Sequence, residues 1–217
     1  LSNASSMAYD DGSNVVGSQR LDAVGNLLAE SGSTFDLRGR PTTSSTWLWS
    51  GSDPTGSRAL TSSTAYDAAG NATTMVDPLT RVSAQSYDTA ERRVAATDPV
   101  GNRVEWTLDR AGNAREVTIV EQVAGGGPVS TTVQATHDAL GRPTTVIDPQ
   151  SNTTTTVYDA RGNVRLAIDA EGHFTESIYD GLDRLTRTVR PEGISVDYAY
   201  DRSSRLKTYR DALQQTT

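Results

Sequence analysis

Short runs of alternating polar and apolar residues recur along this chain, and turn-forming residues separate them. Val104, Trp106 and Leu108 share one face of an extended segment, whereas Glu105 and Thr107 share the other. The runs are five to seven residues long and rich in Thr, Val and Tyr, which is the length and composition of β-strands. No run shows the 3.6-residue apolar spacing of an amphipathic helix. The pattern therefore predicts an all-β protein.

About every second run ends in a tyrosine–aspartate step that begins a turn. In YDAAGN, an aspartate precedes a glycine by three residues. Aspartate at the first turn position bonds the backbone beyond it, and glycine adopts positive φ without a Cβ clash, so the turn closes a β-hairpin. The tyrosines are Tyr66, Tyr87, Tyr158, Tyr179 and Tyr200, and the turn residues are Asp67, Gly70, Asp88, Asp109, Gly112, Asp138, Gly141, Asp159, Gly162, Asp180 and Asp201.

A second turn follows 11 residues after most of these steps. Several copies have proline after the aspartate, where its fixed φ suits the turn and its missing N–H is not needed by a strand. The residues assigned to this turn include Asp98, Pro99, Gly101, Asp148 and Pro149. Some copies of either turn lack glycine, and a non-glycine residue in the left-handed conformation costs about 1 to 2 kcal/mol. The residues at that position in these copies are Thr80, Glu91, Ser151, Asp183 and Ser204.

The tyrosine–aspartate slot returns every 21 residues from Tyr66 to Tyr200, except for a gap of 29 between Leu108 and His137. A fixed period marks one supersecondary unit stacked on copies of itself, and alternating turns and strands give an antiparallel meander. The eight extra residues surround the stretch AGGGP. They predict an extended hairpin over residues 114–136, longer by about 13 Å at 3.3 Å per residue; a floppy glycine loop is the alternative.

The regularity of the repeat divides the chain into three stretches. Residues 1–8 read as a tag remnant and a disordered start, residues 9–65 hold degenerate repeats, and residues 66–217 hold regular ones. No linker or domain boundary is evident, so we expect one continuous repeat array. The last residues stop in the middle of a unit, which indicates an excerpt of a longer array.

Composition narrows the class of protein further. Leu, Ile, Val and Phe make up less than a fifth of the 217 residues, so we expect order to come from backbone ladders with a thin apolar layer. The net charge of −7 and the lack of a basic cluster argue against nucleic acid and anionic membranes as partners. With no cysteine in the chain, disulfides and thiolate metal sites are excluded.

The motifs YDxxGN, YDxLGR and DPxGN at this period resemble the YD repeats of the RHS family. That family includes bacterial polymorphic toxins, the B and C components of insecticidal toxin complexes, wall-associated proteins and teneurins. The resemblance is close from Tyr66 to Thr217 and loose from Tyr9 to Ala65. It implies a β-ribbon that spirals into a hollow shell around an effector, or that supports adhesion. It also implies a secreted or cell-surface location, with the rest of a longer chain and a C-terminal effector as partners.

Candidate catalytic groups have structural explanations. His137 and His173 both occupy repeat positions, and no HExxH, GxSxG or P-loop motif occurs. We therefore expect no catalysis, no cofactor and no metal site. A glycan-cleaving enzyme is the remote alternative, and it would need two facing carboxylates about 5 to 9 Å apart.

The recurring tyrosines have two interpretations. They form a ladder of packed rings at one strand end, or an exposed aromatic stripe that binds carbohydrate. The stripe would contain Tyr158, Tyr179 and Tyr200, with Trp47 and Trp49 as a second platform. The sequence favours a shell or scaffold segment over such an adhesion module. Unpaired strand edges also predict self-association.

Overall fold

The computed structural model describes residues 3–48 and 58–211, and these residues form an antiparallel β meander. Eighteen strands occur in this part of the chain, and the described pairings join strands that are consecutive in sequence. The remaining regular element is a 3₁₀ turn at Pro191–Gly193. No helix among the described residues has the length and apolar character that a membrane span requires. The prediction of an all-β, antiparallel hairpin repeat is confirmed.

Contacts divide the chain into two compact units, of which unit 1 comprises Leu1–Glu105 and Val120–Val129. Its strands pair in sequential order from the first to the ninth. They are β1 (Ala4–Tyr9), β2 (Val15–Leu21), β3 (Leu27–Phe35), β4 (Pro41–Leu48), β5 (Arg58–Tyr66), β6 (Ala72–Val76), β7 (Val82–Tyr87), β8 (Arg93–Thr97) and the first half of β9 (Arg103–Leu108).

Unit 2 comprises Trp106–Ile119 and Ser130–Thr217. Its later strands also pair in sequential order. They are most of β10 (Ala114–Glu121) and β11 (Val129–His137), followed by β12 (Pro143–Ile147), β13 (Thr153–Tyr158), β14 (Val164–Ile168), β15 (Phe174–Tyr179), β16 (Leu185–Val189), β17 (Ser195–Tyr200) and β18 (Leu206–Arg210).

The start of the chain differs from the expected disordered segment. Strand β1 occupies Ala4–Tyr9 and pairs with β2 through a register that runs from Ala4 opposite Leu21 to Tyr9 opposite Val15. All six side chains of β1 are exposed. Backbone pairing therefore defines this strand, and hydrophobic patterning, the signal used to locate strands in the sequence, is weak here.

The register of strand pairing differs between the two kinds of turn. At the proline-containing turn, Ile147 pairs with Thr153 without a shift. At the tyrosine end, Tyr158 pairs with Val164, and the register shifts between Val157 and Tyr158. Such a β-bulge bends the strand and increases its local twist. The same shift precedes the Tyr-slot residue in the other described hairpins, namely at Tyr9, Leu21, Phe35, Tyr66, Tyr87, His137, Tyr179 and Tyr200.

Very little of the described chain is buried. Ala95, at 4% exposure, is the one buried residue among those described. In β9 the two faces alternate between exposed and half-buried, as the pattern of Val104, Trp106 and Leu108 predicts. Order therefore depends on the backbone ladders and on the contacts made by the turns.

The glycine-rich segment lies between two long strands, β10 with eight residues and β11 with nine. Thr118 Oγ1 and Thr132 Oγ1 lie 3.0 Å apart across this hairpin. At the tip, the N–H of Gly126 donates to the carbonyl of Val123 at 3.0 Å, and Gly125 has a φ of 76°.

Candidate functional site

The recurring side-chain arrangement of this protein is the turn that begins with aspartate. In the turn after β13, Asp159 Oδ1 accepts hydrogen bonds from the backbone N–H groups of Arg161, Gly162 and Asn163, each at 2.9 Å. Asp159 Oδ2 accepts a bond from Asn163 Nδ2 at 3.0 Å. Gly162 has a φ of 102°, a conformation that glycine adopts without strain. One carboxylate thus organises the whole turn.

The same arrangement recurs along the chain. In each case the carboxylate accepts bonds from the N–H groups two and four residues further on, which leaves few of its oxygen lone pairs available for other chemistry. The aspartates that do so are Asp22, Asp36, Asp77, Asp88, Asp98, Asp138, Asp148, Asp159, Asp169, Asp180 and Asp201.

These bonds favour the ionised carboxylate and lower its pKa. The side-chain bond from Arg184, with backbone bonds from Leu182 and Arg184, lowers the pKa of Asp180 to about 2. The bond from the Asn163 side chain lowers the pKa of Asp159 in the same direction. Desolvation raises the pKa of Asp169, but bonds from His173 outweigh it, so this pKa also lies below its ordinary value.

The turns that lack glycine keep the same backbone conformation. In each of these turns, the residue three positions after the aspartate has a positive φ of 60° to 68°. One of them has additional support, because Asp183 Oδ1 accepts bonds from Arg161 at 3.1 Å and Asn163 at 3.0 Å in the neighbouring turn. The residues in this conformation are Ser13, Thr80, Glu91, Ser151, Asp183 and Ser204.

The tyrosines connect each turn to the preceding hairpin. Tyr158 donates its hydroxyl hydrogen to the carbonyl of Pro143 at 3.0 Å, the first residue of β12. The acceptor is in each case the residue that opens the neighbouring strand. The other pairs are Tyr66 with Pro41, Tyr87 with Ala72, Tyr179 with Val164 and Tyr200 with Leu185, at 2.8 to 3.2 Å.

The expected ladder of tyrosine on tyrosine is replaced by arginine on tyrosine. The guanidinium of Arg142 lies 4.2 Å from the ring centroid of Tyr158, and that of Arg184 lies 4.8 Å from the ring of Tyr200. Tyrosines occur on every second strand, about 9.6 Å apart at the spacing of a sheet, and this exceeds the separation of stacked rings, which is about 7 Å at most. Where the intervening turn ends in arginine, as between Tyr179 and Tyr200, the guanidinium occupies that space. In unit 1, Arg40 lies in the same way over Tyr66 at 4.4 Å.

The proposed aromatic stripe is therefore only partly available. Tyr158 and Tyr200 carry a guanidinium over one face. Trp47 is half-buried and lies over Gly32 of β3, with its ring atoms 3.2 Å from the position that a Cβ would take. Trp49 lies outside the described residues.

The two histidines occupy different surroundings. His137 Nδ1 is shielded from solvent and has no hydrogen-bond partner. His173 Nδ1 lies 3.2 Å from Asp169 Oδ2, and the potential ligand atoms of Asp169, Glu171 and His173 lie within 4.8 Å of one another. All three residues are exposed. The sequence interpretation treated His173 only as a repeat position, although positions one, three and five of a turn bring side chains together.

An open hollow of about 250 Å³ lies on unit 2. Gln134 Nε2 donates to Glu116 Oε2 within it at 3.0 Å. Glu116 is the one carboxylate among its lining residues, which also include Arg115, Thr107, Thr136 and Ile147. The hollow therefore lacks the pair of carboxylates that a glycosidase requires.

Comparison with known protein families identifies these turns and strands. A family model described as RHS Repeat matches residues 66–103, 137–173 and 179–216, which is slightly more than half of the chain. The chain belongs to the RHS repeat family. Each match spans nearly two of the 21-residue units. A search of curated proteins found no significant match.

Solved structures show similarity at low sequence identity. The Tc holotoxin pore of Photorhabdus luminescens is 15% identical with a TM-score of 0.49, over 97% of this RHS repeat chain and 13% of that chain. A TcdB2-TccC3-TEV structure is 15% identical with a TM-score of 0.47, over 97% and 14% of the two chains. A TcdB2-TccC3 structure is 16% identical with a TM-score of 0.30, over 95% and 16%. This chain spans less than a fifth of the length of these structures.

Proposed function

We propose that this chain is a non-catalytic structural segment of a secreted or cell-surface RHS repeat protein. It acts as a wall or scaffold around or beside a toxin or other effector. Its partners are the remainder of a longer chain and an effector that follows the repeats.

The engagement of the turn aspartates supports this proposal most directly. In the turn after β15, Asp180 accepts backbone bonds from Leu182 and Arg184 and a side-chain bond from Arg184. A carboxylate held in this way has its lone pairs satisfied and its pKa lowered to about 2, whereas a general acid or base at neutral pH needs a pKa near the working pH. The repeated acidic groups thus serve to shape the chain.

The high exposure of the strands also supports a role as a wall. In the described residues only Ala95 is buried, and strands such as β13, with four threonines in six residues, have polar groups on both faces. Backbone ladders allow such a sheet to stay ordered with solvent or another chain against it. An adhesion module would instead need open aromatic faces, and Arg142 and Arg184 each cover one face of a tyrosine.

A glycan array combined with turnover assays on the arrayed glycans tests the proposal. The wild-type chain and a double variant, Tyr158→Ala with Tyr179→Ala, are compared for glycan binding and for thermal unfolding. A structural segment gives no saturable binding and no hydrolysis, while the double variant unfolds at a lower temperature. Saturable binding that the variant loses while it stays folded would establish the adhesion alternative, and glycan turnover would establish an enzyme.

A further inference from the structure

Three arginines connect turns that follow one another on the tyrosine side of the sheet. Arg142 donates from Nε to Asp138 Oδ2 at 2.7 Å within its own turn, and its guanidinium lies over the ring of Tyr158 on the neighbouring strand. Arg184 joins Asp180 to Tyr200 in the same way, and Arg40 joins Asp36 to Tyr66 in unit 1. Each Asp–Arg–Tyr set is called a clasp below.

The ring covers the guanidinium. Side-chain exposure is 25% for Arg40, 27% for Arg142 and 26% for Arg184. Arg205 occupies the same turn position and also binds its own aspartate, yet no ring in the described residues lies over it and its side chain is 80% exposed. The three guanidiniums that lie over a tyrosine ring are thus much less exposed than that of Arg205.

The clasp also limits the residue at the left-handed position of the next turn. Arg142 Nη1 lies 3.4 Å from where a Cβ of Gly162 would be, and Arg40 Nη1 lies 3.3 Å from that point at Gly70. At the third clasp a small hydroxyl fits, because Ser204 Oγ accepts a bond from Arg184 Nη1 at 3.3 Å. Glycine and serine are thus the residues found after a clasp.

Turns with asparagine in place of the arginine make a different junction. Asn163 ends its turn with a short side chain that bonds Asp159, and no guanidinium lies over Tyr179 among the described contacts. The next left-handed position then holds Asp183, which Asn163 Nδ2 binds at 3.0 Å. Arginine and asparagine alternate at this position through Arg142, Asn163 and Arg184.

We infer that the turns ending in Arg40, Arg142 and Arg184 are recognition surfaces between neighbouring hairpins. Each accepts a strand that ends in tyrosine and whose turn has glycine or serine at its left-handed position. The Asn163 turn accepts the carboxylate of Asp183 at that position, whereas the Asn113 turn faces Gly141. The building block of this part of the array is therefore a pair of units joined by one clasp, about twice the 21-residue period.

A thermodynamic cycle on the intact chain tests the inference. Native-state hydrogen exchange measures the local opening constant of β12 and β13 for Tyr158→Leu, and of β14 and β15 for Tyr179→Leu. Both tyrosines bond a carbonyl, at 3.0 and 3.2 Å, but only Tyr158 lies under an arginine. The opening constant should rise about two- to fivefold more for Tyr158→Leu, the factor expected of an exposed cation–π contact.

The variant Arg142→Asn converts the clasp into the natural asparagine turn and is the matched control. In this background the excess effect of Tyr158→Leu should disappear. With Arg142 in place, Tyr158→Phe keeps the ring and should retain the coupling to Arg142. An excess that persists without Arg142, or that is absent from the start, would overturn the inference. If Tyr158→Leu does not fold, the same cycle on Arg184 and Tyr200 gives the decision.

Discussion

The two kinds of turn in unit 2 share one internal geometry and differ in their connections. YD turns, which begin at Asp138, Asp159, Asp180 and Asp201, are joined to neighbouring strands and turns by tyrosine, arginine and asparagine side chains. The turns that alternate with them are called DP turns here; they begin at Asp148, where Pro149 follows, and at Asp169, where Ala170 follows, and have hydrogen bonds only within themselves.

This difference indicates that forming a hairpin turn and joining it to the neighbouring hairpin depend on different side chains. Aspartate at the first position is sufficient for the turn, as Asp148 shows with bonds to Gln150 and Asn152. The junction needs a long side chain that reaches the next hairpin. The difference also appears in exposure, since the side chain of Asp169 is 49% exposed and that of Asp180 is 24% exposed.

Acid is expected to have the largest effect on both kinds of turn. The pKa of Asp180 is about 2, below its ordinary value of 3.8, and the pKa values of Asp148 and Asp169 are also lowered. A lowered pKa in the folded state stabilises the fold above the unfolded value, and this stabilisation is lost as the pH falls through the folded value. Circular dichroism should show intact β-structure at neutral pH and a steep loss of thermal stability below pH 4.

NMR titration can assign this loss to individual turns. Asp180 should remain ionised until about pH 2, because Arg184 donates to it. An Asp180 that titrates at its ordinary value would contradict the claim that hydrogen bonds from Arg184 stabilise its ionised form.

The next largest difference in stability between YD and DP turns is expected when a β-branched residue replaces glycine at the left-handed position. Gly162 and Gly172 have φ values of 102° and 84°, so valine costs about 1 to 2 kcal/mol of strain at either. At Gly162 the new Cβ also meets Arg142, whereas nothing lies within 4 Å at Gly172. Urea unfolding should therefore show a larger loss for Gly162→Val than for Gly172→Val. Equal and negligible losses would contradict the turn assignment itself.

The turns and strands were predictable from the sequence because their chemistry is local. Asp159 and Gly162 lie three residues apart, and that spacing alone specifies the hairpin turn. The clasps were missed because Arg142 and Tyr158 are 16 residues apart and meet only when neighbouring strands pair. The available signal was the alternation of arginine and asparagine in the turns, which resembles ordinary turn variation. The packing of Trp47 on Gly32 likewise depends on the register of β3 and β4.

Restoring a missing tyrosine should strengthen a YD junction. His137 occupies the tyrosine slot with a shielded Nδ1 that has no partner. In the variant His137→Tyr, we expect the hydroxyl to donate to the carbonyl of Ala114, which opens β10 as Pro143 opens β12. A net hydrogen bond of this kind contributes about 0.5 to 1.5 kcal/mol. Thermal unfolding should shift upward, and a lower midpoint would show that this slot does not share the junction of its neighbours.

Replacing serine by glycine should give the smallest difference. Ser151 in a DP turn and Ser204 in a YD turn have φ values of 68° and 60°, and glycine relieves strain at both, with a net gain of up to about 1 kcal/mol. Ser204→Gly also loses the bond from Arg184 to its hydroxyl. Its gain in unfolding free energy should therefore be smaller than that of Ser151→Gly, and the reverse order would count against the junction at Ser204.

Amide hydrogen exchange at the turns tests the central claim most directly, because it compares YD and DP turns in one unmodified molecule. The N–H groups of Gly162 and Asp183 bond the first residue of their YD turns, as those of Ser151 and Gly172 do in their DP turns, at 3.0 to 3.2 Å. The account predicts slower exchange at Gly162 and Asp183, because their turns are tied to neighbouring hairpins. Equal protection at all four amides, or faster exchange in the YD turns, would contradict it.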